Sequence, residues 1–149
     1  MLPGMDRLPF PLADVLPDAL RGVLLDFWWD TERLWALDLP VTTLPVADLS
    51  WLLDLPMWAY GGAPFQVTPH QVAADPVRYA EQYARTMAAD VAFPLHVTDR
   101  GGRPLVLDGM HRLLRTELAG WGEVAVKVVP AAALDDIARR PDDTDSLAK

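Results

Sequence analysis

Between Asp18 and Leu37 apolar residues recur at three- and four-residue steps, at Leu20, Val23, Leu24, Phe27, Trp28, Leu34 and Trp35. That period predicts a helix, with Asp18 behind Pro17 as its cap and Pro40 as its stop. Val41 to Val46 suits a short strand, and Asp48 to Leu53 a helical turn that sends Leu49, Leu52 and Leu53 inward. Met57 to Pro69 holds Gly61-Gly62, Pro64 and Pro69 and reads as a long loop, a kind of segment that tends to carry function. Asp75-Pro76 is a good helix opening, an N-cap followed by proline at the first helical position. The predicted helix runs to about Asp90 and buries Val77, Tyr79, Ala80, Tyr83, Met87 and Val91.

The second half is more sharply punctuated. Pro94 to Thr98 is a strand, Asp99-Arg-Gly-Gly102 a hairpin turn, and Pro104 to Leu107 the return strand. Asp108-Gly109 is an abrupt break, after which Met110 to Ala119 forms a helix closed by Gly120. Val124 to Val129 is a continuous apolar run, as in a buried strand. Leu134 to Arg139 is a last short helix. The expected fold class is α+β, a small mixed sheet with flanking helices. The chain divides into an N-terminal arm and aromatic helix over 1–40, a main domain over 41–140 and a flexible acidic tail over 141–149.

Composition narrows the function. The chain has 149 residues, one domain's worth, with 51% hydrophobic residues and six tryptophans, so a buried core is expected. Lys and Arg number 13 against 21 Asp and Glu, a net charge of −8. Nucleic acid is a poor partner for so acidic a chain, since affinity for it comes from clustered cations. No apolar run approaches the ~20 residues of a membrane span, and Met1 to Pro11 has no signal-peptide core, so the expectation is a cytoplasmic protein with no membrane partner. Zero cysteines exclude disulfides, thiolate metal sites and cysteine nucleophiles.

The candidate chemistry sits at Leu105-Val-Leu-Asp-Gly-Met-His-Arg-Leu-Leu-Arg115. A strand ends in Asp108, Gly109 permits a tight turn, and a helix begins at once. Its first N–H groups lack intrahelical partners and its dipole end is positive, which suits a phosphate. His111 and Arg112 stand in the first turn, where acids are the usual preference. Two basic groups there make sense if an anion is bound, with Arg112 gripping it bidentately. Asp108 is placed to hold a metal ion or to orient His111. The alternative is a common Asp-Gly turn followed by exposed basic side chains.

The run Phe93-Pro-Leu-His-Val97, a glycine turn, Leu105 to Arg115, Leu118-Ala-Gly-Trp121 and Val124 to Val129 resembles the ParB/sulfiredoxin superfamily over roughly Leu44 to Val129. Its members partition DNA with a CTP switch, reduce sulfinic acids, or phosphorylate free serine with ATP or ADP. Sulfiredoxins place a catalytic cysteine where this chain has Met110, so sulfur chemistry is excluded. Partition proteins continue into a helix-turn-helix, and only about twenty residues follow Val129 here. The resemblance therefore implies a nucleotide-dependent phosphotransferase, a kinase for a small hydroxylated metabolite or amino acid. Gly109, Met110, His111 and Arg112 would hold the phosphates of ATP or ADP, with CTP also open, and Asp108 would contact Mg2+ or the acceptor. The serine kinases of the superfamily use an acidic general base after the first strand. Asp54 and Asp48 are the matching candidates, Asp54 being nearer the loop, and His70 is a further acid–base candidate. His111 is the remaining catalytic candidate.

Two other readings stand beside the enzyme. One is a nucleotide-responsive switch or protein-interaction module without a DNA-binding domain. The other is a scaffold forming a homodimer through the N-terminal helix, which Phe27, Trp28, Trp29 and Trp35 nearly encircle. Trp51, Trp58, Tyr60 and Phe65 gather around Gly61-Gly62, as an aromatic lid or as core. His96 alternates along its strand and is assigned no role.

Overall fold

The computed structural model describes residues 7–143. It is a mixed α+β domain in which a four-stranded sheet carries the helices. The sheet strands are β1 (Val41–Pro45), β4 (Leu95–Arg100), β5 (Arg103–Asp108) and β6 (Glu123–Val128), in the order β1-β6-β4-β5. β4 runs parallel to β6, and the other pairings are antiparallel. The strands fall where the apolar pattern places them. Leu95, Val97, Leu105, Val124 and Val126 are buried, and pack with Leu113 and Leu114 of α5 (Met110–Leu118). α2 (Val46–Leu49) and the 3-10 turn Ser50–Asp54 supply Leu49, Leu52 and Leu53, all fully buried, as the helical-turn reading expects.

Three expectations are corrected. No helix spans 18–37. A 3-10 turn covers Asp18–Leu20, Gly22 takes a positive φ of 75°, and regular helix begins only at α1 (Thr31–Ala36), capped by Asp30 accepting from the Arg33 N–H. Between them the chain is extended and pairs with other segments. Pro9 bridges Phe27, and Trp29 bridges Ala138. The Leu8 N–H donates to the Arg139 carbonyl, that of Arg139 to Trp28, and that of Asp30 to Ile137. Phe27, Trp28 and Trp29 thus belong to this extended segment, where Phe27 is buried and Trp29 stacks on Phe10 at 5.8 Å, while Trp35 stays exposed on α1, so the helix these residues were expected to encircle does not form.

The expected loop over 57–69 is instead a hairpin of β2 (Trp58–Tyr60) and β3 (Ala63–Val67). Gly61 and Gly62 have φ of 64° and 79°, the positive pair that a two-residue turn between twisted strands requires. The helix predicted over 75–90 is shorter and starts only at residue 80, its expected buried Val77 and Met87 are exposed, and a separate helix precedes it. α3 (Pro69–Ala74) opens with a capping box, Thr68 accepting from the Gln71 N–H and Gln71 from the Thr68 N–H. Asp75 caps only a turn, accepting from the Arg78 N–H, and α4 (Ala80–Ala88) follows. α6 (Leu134–Ile137) and a 3-10 turn at Pro141–Asp143 close the described chain, and the rest of the expected acidic tail lies outside the described residues.

Candidate functional site

β5 delivers Asp108 to the junction where Gly109 turns the chain into α5. Gly109 has φ +114°, and a Cβ there would lie 2.6 Å from Leu95 Cδ2 and 3.3 Å from Arg112 Nη1. The position therefore requires glycine for both conformation and space. α5 starts without a side-chain cap and without an acid in its first turn.

The motif residues do not share one destination. Asp108 and Arg112, four apart, line a cavity of about 420 Å³ together with Trp35, Phe93, Pro94, His96 and Lys127. Asp108 Oδ2 accepts from Trp35 Nε1 at 2.9 Å and lies 3.4 Å from Arg112 Nη2. Arg112 Nη1 donates to the Pro94 carbonyl at 2.8 Å. These bonds hold the guanidinium at the wall while leaving part of its donor fork uncommitted.

His111 points elsewhere. Consecutive helical residues project about 100° apart, and here Arg112 faces the cavity while His111 does not. The His111 ring stacks on Trp58 at 4.2 Å and 7°, and its Nε2 is 2.9 Å from Gln82 Oε1, which makes Nε2 the protonated nitrogen. Gln82 in turn donates to the Ala59 carbonyl. Burial, helped by the nearby Arg85, pushes His111 down to about 4. It is neutral near pH 7 and pins α5 to the β2–β3 hairpin and α4. Met110 is half-buried against the core. Neither Met110 nor His111 lines the cavity.

Two cavity residues carry signals that periodicity alone does not show. His96 is only 6% exposed, and neither ring nitrogen finds a hydrogen-bonding partner among the described residues. A buried imidazole without partners costs roughly 1–3 kcal/mol. Burial lowers its pKa, against the pull of Asp108, so the ring is neutral with one donor and one acceptor to offer. Lys127 is its register partner on β6 and Asp108 its register partner on β5, which sets the three side by side across the sheet. Among the described residues Lys127 has no ion-pair partner. With Arg112 and Lys127 against Asp108 the cavity carries a net charge of +1, inside a chain of net charge −8.

The base candidates lie apart from this cavity. Asp48 is exposed on α2. Asp54 sits 2.5 Å from His70 Nδ1, and His70 Nε2 is 2.7 Å from Glu117 Oε1. Glu117 belongs to the last turn of α5. At ~1.5 Å per residue the rise from Gly109 to Glu117 is about 12 Å, so this cluster and the cavity occupy opposite ends of one helix. Burial works to lower the His70 pKa, but hydrogen bonds to Asp54 and Glu117 outweigh it and raise the pKa overall. The aromatic residues around Gly61-Gly62 divide between these surroundings. Trp58 is buried under His111, Tyr60 meets Tyr79 edge-on at 4.9 Å, and Arg103 lies 3.5 Å over Trp51.

Compared with protein-family models, curated proteins and solved structures, the chain matches none. The functional reading therefore rests on the site itself. Among the described residues no helix is long and apolar enough to cross a membrane.

Proposed function

We propose that this domain binds a nucleotide, with its phosphate groups seated in the cavity between Arg112, Lys127 and His96. The observation that carries the reading is the pairing of a buried His96 with Lys127, neither of which finds a partner among the described residues, beside an arginine at a helix start. An anion would pair with both cations, and a turn of the buried imidazole would bring a His96 nitrogen to it as well. Phosphate supplies several acceptor oxygens for the Arg112 fork, the Lys127 ammonium and a His96 N–H. The cavity volume is within the usual range for small-molecule sites. ATP, ADP and CTP are the candidates that the resemblance implies.

Phosphoryl transfer to a small hydroxylated molecule is the second reading, and the Asp108 carboxylate in the same cavity favours it. In-line transfer needs charge neutralisation and a group that accepts the acceptor's proton. Arg112 and Lys127 supply the first, and Asp108 is the acidic group placed for the second, whereas Asp54 is not. As a metal ligand Asp108 offers little alone: its Oδ2 already takes Trp35 and Arg112, and among the described residues no group of three His, Asp or Glu could hold a metal. The residues therefore do not fit a protein-held magnesium.

Isothermal titration with ATP, ADP and CTP tests the binding, each with and without magnesium. Lys127→Ala is expected to weaken affinity at least tenfold while leaving the thermal midpoint near wild type, because Lys127 makes no ion pair among the described residues. Arg112→Ala is expected to abolish binding. Absence of binding by every nucleotide would overturn the proposal. Nucleotide turnover with a panel of hydroxy-amino acids separates the second reading from the first.

A further inference from the structure

We infer that the N-terminal segment completes this site by supplying an aromatic platform, and that the ligand carries a flat ring which stacks on Trp35 beside Phe93. The inference rests on the phosphate-cavity reading and adds to it the chemistry of the ligand's other end.

Trp35 and Phe93 line the same cavity as the cations, yet they remain 55% and 63% exposed. Large apolar rings left open to water are costly. Several other rings of the described chain find partners: Trp58 stacks on His111, Phe10 on Trp29, and Tyr60 meets Tyr79, while Trp121, as exposed as Trp35, lines no cavity with cations. Trp35 and Phe93 make no ring contact of that kind, with each other or with any described ring.

Trp35 is also fixed in place. Its Nε1–H donates to Asp108 Oδ2 at 2.9 Å across 73 positions of sequence, which ties α1 to the end of β5. An exposed indole held by a hydrogen bond along one edge presents its face without further ordering. That is the pre-organisation a stacking surface needs. Phe93 stands just before β4, next to Pro94, whose carbonyl anchors Arg112. The ring platform and the phosphate-binding cations are therefore joined through two shared groups, Asp108 and Pro94. A molecule with an aromatic ring at one end and phosphates at the other matches both parts, and a nucleoside phosphate has that form. Base stacking on aromatic side chains is tolerant of base identity, so ATP and CTP are expected to share the platform.

The test compares ATP with inorganic triphosphate on the full chain by titration calorimetry. Wild type is expected to bind ATP about tenfold or more tightly than triphosphate. Trp35→Ala should abolish that preference while triphosphate still binds, although Asp108, freed from the indole N–H, can then pair more closely with Arg112. Trp35→Phe should retain most of the preference, since a ring remains although the N–H to Asp108 is gone. Upfield shifts of the base protons on binding, lost in Trp35→Ala, are the spectroscopic signature of stacking. Equal affinity of wild type for ATP and triphosphate would overturn the platform and leave the phosphate site standing, as would an undiminished ATP preference in Trp35→Ala. Binding of neither ligand would overturn both.

Discussion

Replacing Gly109 by alanine tests the strand-to-helix junction on which the site is built. Two costs combine. At φ +114° an L-residue is strained by roughly 1–2 kcal/mol or more. The added Cβ would also meet Leu95 Cδ2 at 2.6 Å, and the Leu95 Cα at 3.5 Å stands behind it. Leu95 is fully buried, so its methyl has no open space to enter, and overpacking of this kind costs about 1–3 kcal/mol. Loss of unfolded-state freedom on changing glycine to alanine returns about 0.4–1 kcal/mol. The net expectation is a loss of about 2–4 kcal/mol. Gly101→Ala is the matched control: its φ is +62° and nothing lies within 4 Å of its Cβ, so only strain remains, about 1 kcal/mol. Urea denaturation of the three proteins, read by linear extrapolation, gives the comparison, and the slopes should agree. For a chain of this length the Gly109→Ala midpoint should fall by roughly 5–15 °C on heating. A Gly109→Ala protein no less stable than Gly101→Ala would refute the close packing of the junction against Leu95.

The two partnered histidines respond to pH with opposite signs. His111 has a folded pKa of about 4, below its unfolded value near 6.5, so the unfolded state takes up the proton first. Stability should fall as pH drops from 6.5 to 4, by on the order of 2 kcal/mol after allowance for solvent screening, and His111→Gln should remove that dependence. Parallel stability–pH curves for the two proteins would contradict the assignment. His70 has a raised folded pKa, so its contribution is fully present below about 6.5 and is lost as pH rises through the folded value. His70→Gln should accordingly cost about 1 kcal/mol or less at pH 5.5 and progressively less at higher pH, measured by the same denaturation series. A cost that grows with pH would refute the Asp54–His70–Glu117 arrangement.

The sheet was legible because its strands obey short-range rules: apolar alternation, a glycine turn, an Asp-Gly break. The misread segments show where such rules run out. Over 18–37 the three- and four-residue spacing comes from an extended stretch that buries residues against partners more than a hundred positions away, such as Ala138 with Trp29. The hairpin over 58–67 was within reach, since Gly-Gly between aromatic residues is a two-residue turn signal, but the prolines hid it. The Thr68-x-x-Gln71 box likewise marked a helix start that Asp75-Pro76 outshone. At the site, Asp108 and Arg112 follow from the local motif. His111 does not, because its direction is set by the helix turn and by Trp58 and Gln82. His96 and Lys127 meet only through strand register, and Trp35 arrives from a segment with no local link to the motif.

The bridges that join residues 28–30 to 137–139 impose an order of assembly. During synthesis the segment carrying Trp35 emerges early, but the strand-like partner that positions it is made about a hundred residues later. At roughly 5–20 residues per second the nascent chain waits some 5–20 s for that partner. In that interval the segment has only Leu8 to Phe10 of the arm to pair with, so its other side stays uncovered. The cavity wall at Trp35 is thus among the last parts to be built, so any truncation or delay near Ile137 to Arg139 would reach the site through its remote partner rather than through the motif itself.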